Sequence, residues 1–344
     1  MTTALRSLRV PASLHRRSGT RTDLKQILRP VDADLADANR RLLACLQNPV
    51  ARKAAYLVTA GGKHLRPALV LLAGRSGRYE ERRDALIALA VSAELIHTAT
   101  LVHDDIIDQA ALRRQQPTFH QRFGTERAVL MGDYLYSVAF SLLAGLEEPT
   151  VMQVMAEACQ RLSLGEFLEV DCRFDVSLTA ERYLEIIEHK TASLIAACCQ
   201  LGAVVAGAPV ETVARLREFG LQFGMAFQIM DDCLDLTGDE QVVGKTLRSD
   251  LDKGSLSLPV IYLAAVMPKR EREALFAPLR RRAPTPAFLT RIAKEARRSG
   301  AITRALRTAQ GFLQQAMATV TVHDGVALAD TYQQLARYAL ERVQ

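Results

Sequence analysis

"SAELIHTATLVHDDIIDQAALRR", residues 92–114, decides the fold. Its first part is apolar or small apart from Glu94 and His97, and it ends on three carboxylates, Asp104, Asp105 and Asp108. On an α-helix, positions i, i+1 and i+4 fall within about 100° of azimuth, so one edge of an otherwise apolar helix becomes acidic. Like charges at that spacing repel, and an apolar helix end offers little water to screen them. "MDDCLD", residues 230–235, repeats the pattern with Asp231, Asp232 and Asp235. The clusters start 127 residues apart and their flanks differ, so they are not an internal duplication.

Outward from these segments the chain keeps a helical composition. Ala, Leu, Glu, Arg and Gln recur at helical spacing, and alternating β-branched runs between turn residues are missing. Breakers fall at Gly61-Gly62, Pro117, Pro149, Gly207 to Pro209, Gly238, Gly254 to Pro259, Pro268 and 283–286, leaving helices with short links. The expectation is one all-α domain over 23–344 behind a basic extension, residues 1–22. That extension carries Arg6, Arg9, Arg16, Arg17 and Arg21 and no acid. It is read as a disordered tail, which implies a cytoplasmic protein; read as a transit peptide it implies the mitochondrial matrix.

Composition narrows the function. A chain of 344 residues with 49% hydrophobic and 24% charged residues is an ordinary globular inventory. The net charge of +6 and pI near 9.1 admit a nucleic acid, a membrane surface or a polyanionic small molecule. There is no nucleic-acid motif and no Trp, and the basic residues are scattered or sit beside the Asp clusters, so nucleic acid is excluded as partner. The six cysteines show no CxxC pairing and no His at zinc spacing, as expected in a reducing compartment. The apolar runs 85–102 and 194–208 are interrupted or too short, so no membrane-spanning helix is expected.

Oxygen ligands without His or Cys suit Mg²⁺, which bridges carboxylates to phosphate while keeping several waters. The basic residues near the clusters supply the phosphate side. "GGKHLRP" (61–67) carries Lys63 and Arg66, and "LRRQQPT" (112–118) carries Arg113 and Arg114. "HKTAS" (189–193) carries Lys190 and Thr191, and "GKTLRSDLDKG" (244–254) carries Lys245 and Lys253. Two acidic sets flanked by two basic sets point to one diphosphate held through metal and another held directly.

These motifs resemble those of the trans-isoprenyl diphosphate synthases, most closely the long-chain, octaprenyl-type polyprenyl diphosphate synthases, over roughly residues 30–344. The matching stretches are GGKxxRP at 61–67, "LVHDDIIDQAALRR" at 101–114 and "FQIMDDCLDLTGD" at 227–239. The resemblance implies an antiparallel helix bundle around a deep central cavity, assembled as a homodimer, with the two Asp motifs facing each other at its mouth. It implies a transferase that condenses isopentenyl diphosphate with an allylic diphosphate, farnesyl or geranylgeranyl, into a long all-trans polyprenyl diphosphate. By this similarity Asp104, Asp108 and Asp231, helped by Asp105, Asp232 and Asp235, hold about three Mg²⁺ ions. Arg113, Lys190 and Lys245 complete the clamp on the allylic diphosphate, and Lys63, Arg66, His97 and Arg114 hold isopentenyl diphosphate without metal. Thr191 and Gln228 steady the cation or the diphosphate through their dipoles, or are simply hydrogen-bonded as buried helix polar residues. Such chemistry needs no side-chain nucleophile, in keeping with the lack of any Ser/His/Asp or Cys/His constellation.

The sequence departs from that family in two places. Ser255 in "GSLSLP" stands where a phosphate-binding Lys is expected, with Lys253 two residues earlier, and Glu169 in "GEFLEV" replaces a common Gln. A weakly catalytic subunit of a hetero-oligomeric synthase would explain Ser255, and a short- or medium-chain (C15–C20) synthase shares the motifs. A class I terpene cyclase would not need the Lys63, Arg66 and Arg114 set. Product length is expected to be set by the wall below the first motif, at Ala99 and Thr100, about 6–7.5 Å down, and at Ile96 below them. None is an aromatic floor, so products beyond C20 are expected, with transient membrane contact easing their release.

Overall fold

No glycine or proline interrupts residues 79–107, and they form one 29-residue helix, Tyr79–Ile107. Glu80 and Glu81 in its first turn suit the positive end of the helix dipole, and the helix stops at Asp108, beyond which Gln109 turns left-handed at φ 52°. It is long and apolar enough to cross a membrane by length and composition, yet most of its apolar window is buried inside the fold. The computed structural model describes residues 23–59, 64–237, 249–320 and 326–341.

The longer helices, in chain order, are α1 (Asp32–Cys45), α2 (Leu65–Gly74), α3 (Tyr79–Ile107), α4 (Thr125–Ala144) and α5 (Pro149–Asp171). They continue with α6 (Ala180–Ile187), α7 (Ser193–Val205), α8 (Val210–Thr237), α9 (Leu258–Val266), α10 (Pro286–Arg298), α11 (Ala301–Thr319) and α12 (Val326–Glu341). α3 packs on α2 and α4, α7 lies between α2 and α8, and α8 is covered by α11. The core runs continuously through these contacts and includes the stacked pair Phe219 and Phe223, with Tyr332 of α12 4.5 Å from the Phe219 ring centre. The all-α class expected from the sequence is therefore the class observed.

Two local departures from plain α-helix shape the site. The first is a two-residue hairpin, Leu112–Arg113 paired antiparallel with Gln116–Pro117, which helical periodicity did not announce. Its turn residues, Arg114 and Gln115, both have positive φ (50° and 61°), the geometry that matches the twist of a tight hairpin. Neither is glycine, so the turn is held against its intrinsic preference, and Thr118 helps by donating its hydroxyl to the Ala110 carbonyl at 2.6 Å. The second is a π-helical turn, Glu188–Ala192, between α6 and α7. Extra-residue turns of this kind re-aim side chains within a helix. Gly165 of α5 makes room for it, because a Cβ there would fall 2.5 Å from the Lys190 backbone nitrogen.

Candidate active site

A cavity of about 830 Å³ opens between these helices. One stripe of α3 lines it at the i, i+3, i+4 spacing: Glu94, His97, Thr100, Leu101, Asp104 and Asp108. From α8 come Phe227, Gln228, Asp231 and Asp232, from the π turn Lys190 and Thr191, from the hairpin Arg113 and Arg114, and from α2 Arg66. Lys63 and Lys245 lie outside the described residues.

At the first motif the three carboxylates have three different settings. Asp105 is buried and points off the cavity wall, its Oδ1 accepting from Arg113 Nε at 2.8 Å. Asp108 accepts from Arg173 Nη2 at 2.6 Å and from Lys253 Nζ at 3.0 Å. Burial raises the Asp108 carboxyl, but Lys253, Lys190 and Arg173 outweigh it and hold the group below the usual carboxylate range. Asp104 has no such surplus. Burial pushes it up to about 7, Lys190 and Arg113 offset only part of this, and Glu166 and Asp108 add repulsion.

Lys190 explains the shortfall. Its Nζ lies 2.5 Å from both Glu166 Oε2 and Glu169 Oε2, so its single charge is already shared by two acids. Burial alone would lower the ammonium, yet Glu169, Asp104 and Glu166 reverse that and hold it protonated. Glu169 is itself held below its ordinary range, because Lys190 and a hydrogen bond from Ser255 overcome its burial.

In the second motif Asp232 joins a chain of uncharged hydrogen-bonding groups. Asp232 accepts from the Tyr183 hydroxyl at 2.6 Å and from Gln228 Nε2 at 2.7 Å, while Thr191 donates to Gln228 Oε1 at 2.8 Å. Burial raises the Asp232 carboxyl far above its ordinary range, and Asp250 and Asp231 raise it further by repulsion. Tyr183 is raised too, by burial and by Asp232. Asp231 faces the cavity; Asp235 is buried and does not line it.

On the other side of the cavity Arg66, Arg113 and Arg114 surround His97. Burial and these three cations hold its imidazole well below its usual range, so it is neutral. The Nε of Arg66 is buried with no acceptor among the described residues, a donor that an anion in the cavity could satisfy.

Most sequence-designated residues thus share one cavity, with clear corrections. Asp105 and Asp235 stand behind the wall. Ala99 and Ile96 are fully buried in the core and do not line the cavity, whereas Thr100 does. The reason is helical phase: Ala99 lies one turn before His103, which meets Gly132 of α4, and so faces the α3/α4 contact. Sequence reading missed Tyr183, Glu166 and Arg173. Glu166 was detectable as the i−3 neighbour of Glu169 on one helix face, but nothing in the sequence pairs Tyr183 with Asp232 or Arg173 with Asp108.

Carboxylate oxygens on two facing helices, one of them short of positive charge at Asp104, are a donor set that fits hard divalent cations. Among the described residues, no three His, Cys, Asp or Glu side chains already stand close enough together to hold an ion. The set is open, as expected where phosphate and water complete the coordination.

The family model described as polyprenyl synthetase matches residues 47–295. Component 2 of the heptaprenyl diphosphate synthase of Geobacillus stearothermophilus is 42% identical over 257 residues, 74% of this chain and 79% of that protein. The octaprenyl diphosphate synthase of Escherichia coli is 35% identical over 243 residues, 70% of this chain and 75% of the relative. Among solved structures, a polyprenyl synthase from Caulobacter crescentus complexed with calcium and isoprenyl diphosphate superposes with a TM-score of 0.89 at 33% identity, covering 95% of this chain and 100% of that one.

Proposed function

The chain belongs to the polyprenyl synthetase family and is a trans-prenyltransferase; from that premise we propose that it condenses isopentenyl diphosphate with farnesyl or geranylgeranyl diphosphate to make a long-chain polyprenyl diphosphate. The observation that carries the reading is the pairing, in one cavity, of Asp104 and Asp231 on facing helices with the cations Arg66 and Arg114 beside His97. One set suits a metal-held diphosphate and the other a bare one.

About three Mg²⁺ ions held by Asp104, Asp108 and Asp231 would supply the charge that stabilises the departing diphosphate. Lys190, Arg113 and Lys253 add direct donors to that anion. Arg66 and Arg114, beside neutral His97, hold the second diphosphate and aim its double bond at the allylic carbon. The allylic C–O bond breaks, the new C–C bond forms from the isopentenyl double bond, and the proton lost goes to the departing diphosphate. The linked Thr191 and Gln228 present fixed dipoles to the developing cation, so the contribution of the protein is position and electrostatics.

The active form we propose is a homodimer. Val129 and Leu130 of α4 and Leu164, Phe167 and Val170 of α5 are exposed, and Phe167 and Leu130 are 70% and 66% accessible, an apolar face suited to a second copy. The cell compartment we propose is the cytoplasm, with brief membrane contact when a long product leaves. A second reading, the catalytic component of a hetero-oligomeric synthase, draws on the relative named component 2.

Incubation of the purified chain with Mg²⁺, farnesyl diphosphate and labelled isopentenyl diphosphate, followed by chain-length analysis, tests the proposal. Products longer than C20 from the chain alone are expected. Turnover without isopentenyl diphosphate would indicate a cyclase, and activity only after addition of a second polypeptide would favour the hetero-oligomer.

A further inference from the structure

Ser255 removes a cation from the place where phosphate-binding lysine is expected, yet Asp108 has two cations where one would neutralise it. Arg173 and Lys253 both reach this one carboxylate, Arg173 on Oδ1 at 2.6 Å and Lys253 on Oδ2 at 3.0 Å. They come from segments far apart in sequence that are fastened together. Phe174 N donates to the Gly254 carbonyl at 2.8 Å, and Gly254, at φ 87°, lies against the Phe174 ring where a Cβ would fall 2.6 Å from the ring carbons. Arg173 and Lys253 are therefore carried as one unit. The Nε of Arg173 is buried and has no acceptor among the described residues. A guanidinium normally spends its donors on acceptors, so this one is only partly used by Asp108.

Resting on the proposed diphosphate chemistry, we infer that Arg173 is a diphosphate-binding residue: with Lys253 it supplies the positive charge missing at Ser255, and Asp108 holds the two cations in store until metal takes the carboxylate. Asp108, Arg173 and Lys253 together carry a net charge of one positive unit. The neighbouring group of Lys190, Glu166 and Glu169 carries one negative unit. The anion is drawn to the Arg173 side and the metal to the Asp104 side, which orients a metal-bound diphosphate across the first motif. The unfilled Nε of Arg173, beside the Nη2 that Asp108 would release, suits a contact to a phosphate oxygen that a lysine at position 255 would make as a point charge.

Calorimetric titration of the full chain with inorganic pyrophosphate at saturating Mg²⁺, and with Mg²⁺ alone, separates the possibilities. Arg173→Gln is expected to weaken pyrophosphate binding about 10- to 100-fold, the range of one or two charge-assisted contacts. Binding of Mg²⁺ alone should be unchanged or tighter, since Asp108 loses a competitor. Adding Ser255→Lys to Arg173→Gln should recover most of the lost affinity. Pyrophosphate affinity within about twofold of wild type, or equal loss of Mg²⁺ and pyrophosphate binding, would overturn the assignment. Asp108→Asn in metal-free buffer is a second measurement that does not depend on the folding of the Arg173 variant. It strips both cations of their counter-ion, and pyrophosphate should then bind about tenfold tighter than to wild type; no gain overturns the inference equally. Should added Mg²⁺ bring wild type no gain in pyrophosphate affinity, the reading of a metal-held diphosphate itself fails, whatever Arg173 does.

Discussion

The two aspartate motifs spell the same DDxxD pattern, yet Asp108 of the first and Asp232 of the second sit in opposite settings. The first, at the end of α3, is surrounded by ions: Arg113 on Asp105, Arg173 and Lys253 on Asp108, and Lys190 beside Asp104. In the second, on α8, Asp232 is held by uncharged donors, the Tyr183 hydroxyl and the Gln228 amide. Cations that can exchange partners suit a motif that must trade protein charge for metal and diphosphate. A hydrogen-bonded network that keeps its geometry suits a fixed wall against which the first motif works. In each motif two carboxylates line the cavity, Asp104 and Asp108 in the first and Asp231 and Asp232 in the second, and the third, Asp105 or Asp235, is buried away from it.

The largest expected effect asks whether both motifs are needed. Asp104→Ala and Asp231→Ala should each lower kcat by about 10³-fold or more, the scale lost when transition-state charge stabilisation is removed. Far-UV circular dichroism should be unchanged, because each side chain borders the cavity and not the core. Chelation of divalent metal should abolish turnover in wild type. Near-normal kcat in either variant at saturating Mg²⁺ would break the comparison at its root.

The next effect concerns the wall between the motifs, where the structure replaces one residue with another. Thr100→Phe should shorten the products by several isoprene units while preserving the first condensation, since Thr100 lines the cavity. Ala99→Phe should leave product length alone and instead destabilise the fold by about 1–3 kcal/mol, because Ala99 is fully buried where α3 meets α4. Chromatography of the products and thermal denaturation of both variants decide the pair. Shortening by Ala99→Phe without loss of stability would return the length gate to that face.

The contrast between ionic and neutral settings also shows what a sequence can carry. Helix α3, the position of both Asp motifs and the twin arginines Arg113 and Arg114 were legible, because each depends on local spacing along one helix or turn. The hairpin was not, since two paired residues leave no periodic signal, although its Arg-Gln turn is what aims Arg114 inward. Helical phase was read only approximately: one position separates Ala99 from Thr100 but turns the side chain by about 100°. Tyr183 on Asp232 and Arg173 on Asp108 are contacts between distant segments, and single-sequence patterns hold no record of those. Lys253 reaches Asp108 for the same tertiary reason, through the Phe174 and Gly254 contact.

A smaller effect tests the neutral network. Tyr183→Phe removes the hydroxyl 2.6 Å from Asp232 and leaves the Gln228 amide donating to it in a buried place. Loss of a hydrogen bond to a buried carboxyl group costs about 1–3 kcal/mol, which should appear as a fall in thermal midpoint of a few degrees. kcat should drop about tenfold as Gln228 and Thr191 follow Asp232, with KM for isopentenyl diphosphate nearly constant because Arg66 and Arg114 are untouched. A KM effect larger than the kcat effect would mean the network serves binding and not the chemical step.

The smallest effect belongs to Ser255. Lysine at this position is what the family pattern calls for, and in a site lacking charge it would be worth about tenfold or more in diphosphate affinity. Here the site does not lack charge. Ser255 already donates to Glu169, and Lys253 and Arg173 crowd the first motif with two cations. A lysine at 255 would bind Glu169, loosening that acid from Lys190, while adding a third positive group near Asp108. Gain from the freed Lys190 and loss from cation repulsion act in opposite directions and nearly cancel. Ser255→Lys in the wild-type background should therefore change KM for the allylic diphosphate by less than about threefold, about 0.6 kcal/mol, and leave kcat alone. Steady-state kinetics at saturating Mg²⁺ measure it. A tenfold tightening would show that Arg173 and Lys253 stay on Asp108 throughout turnover, and that the ionic setting of the first motif is fixed like the network of the second.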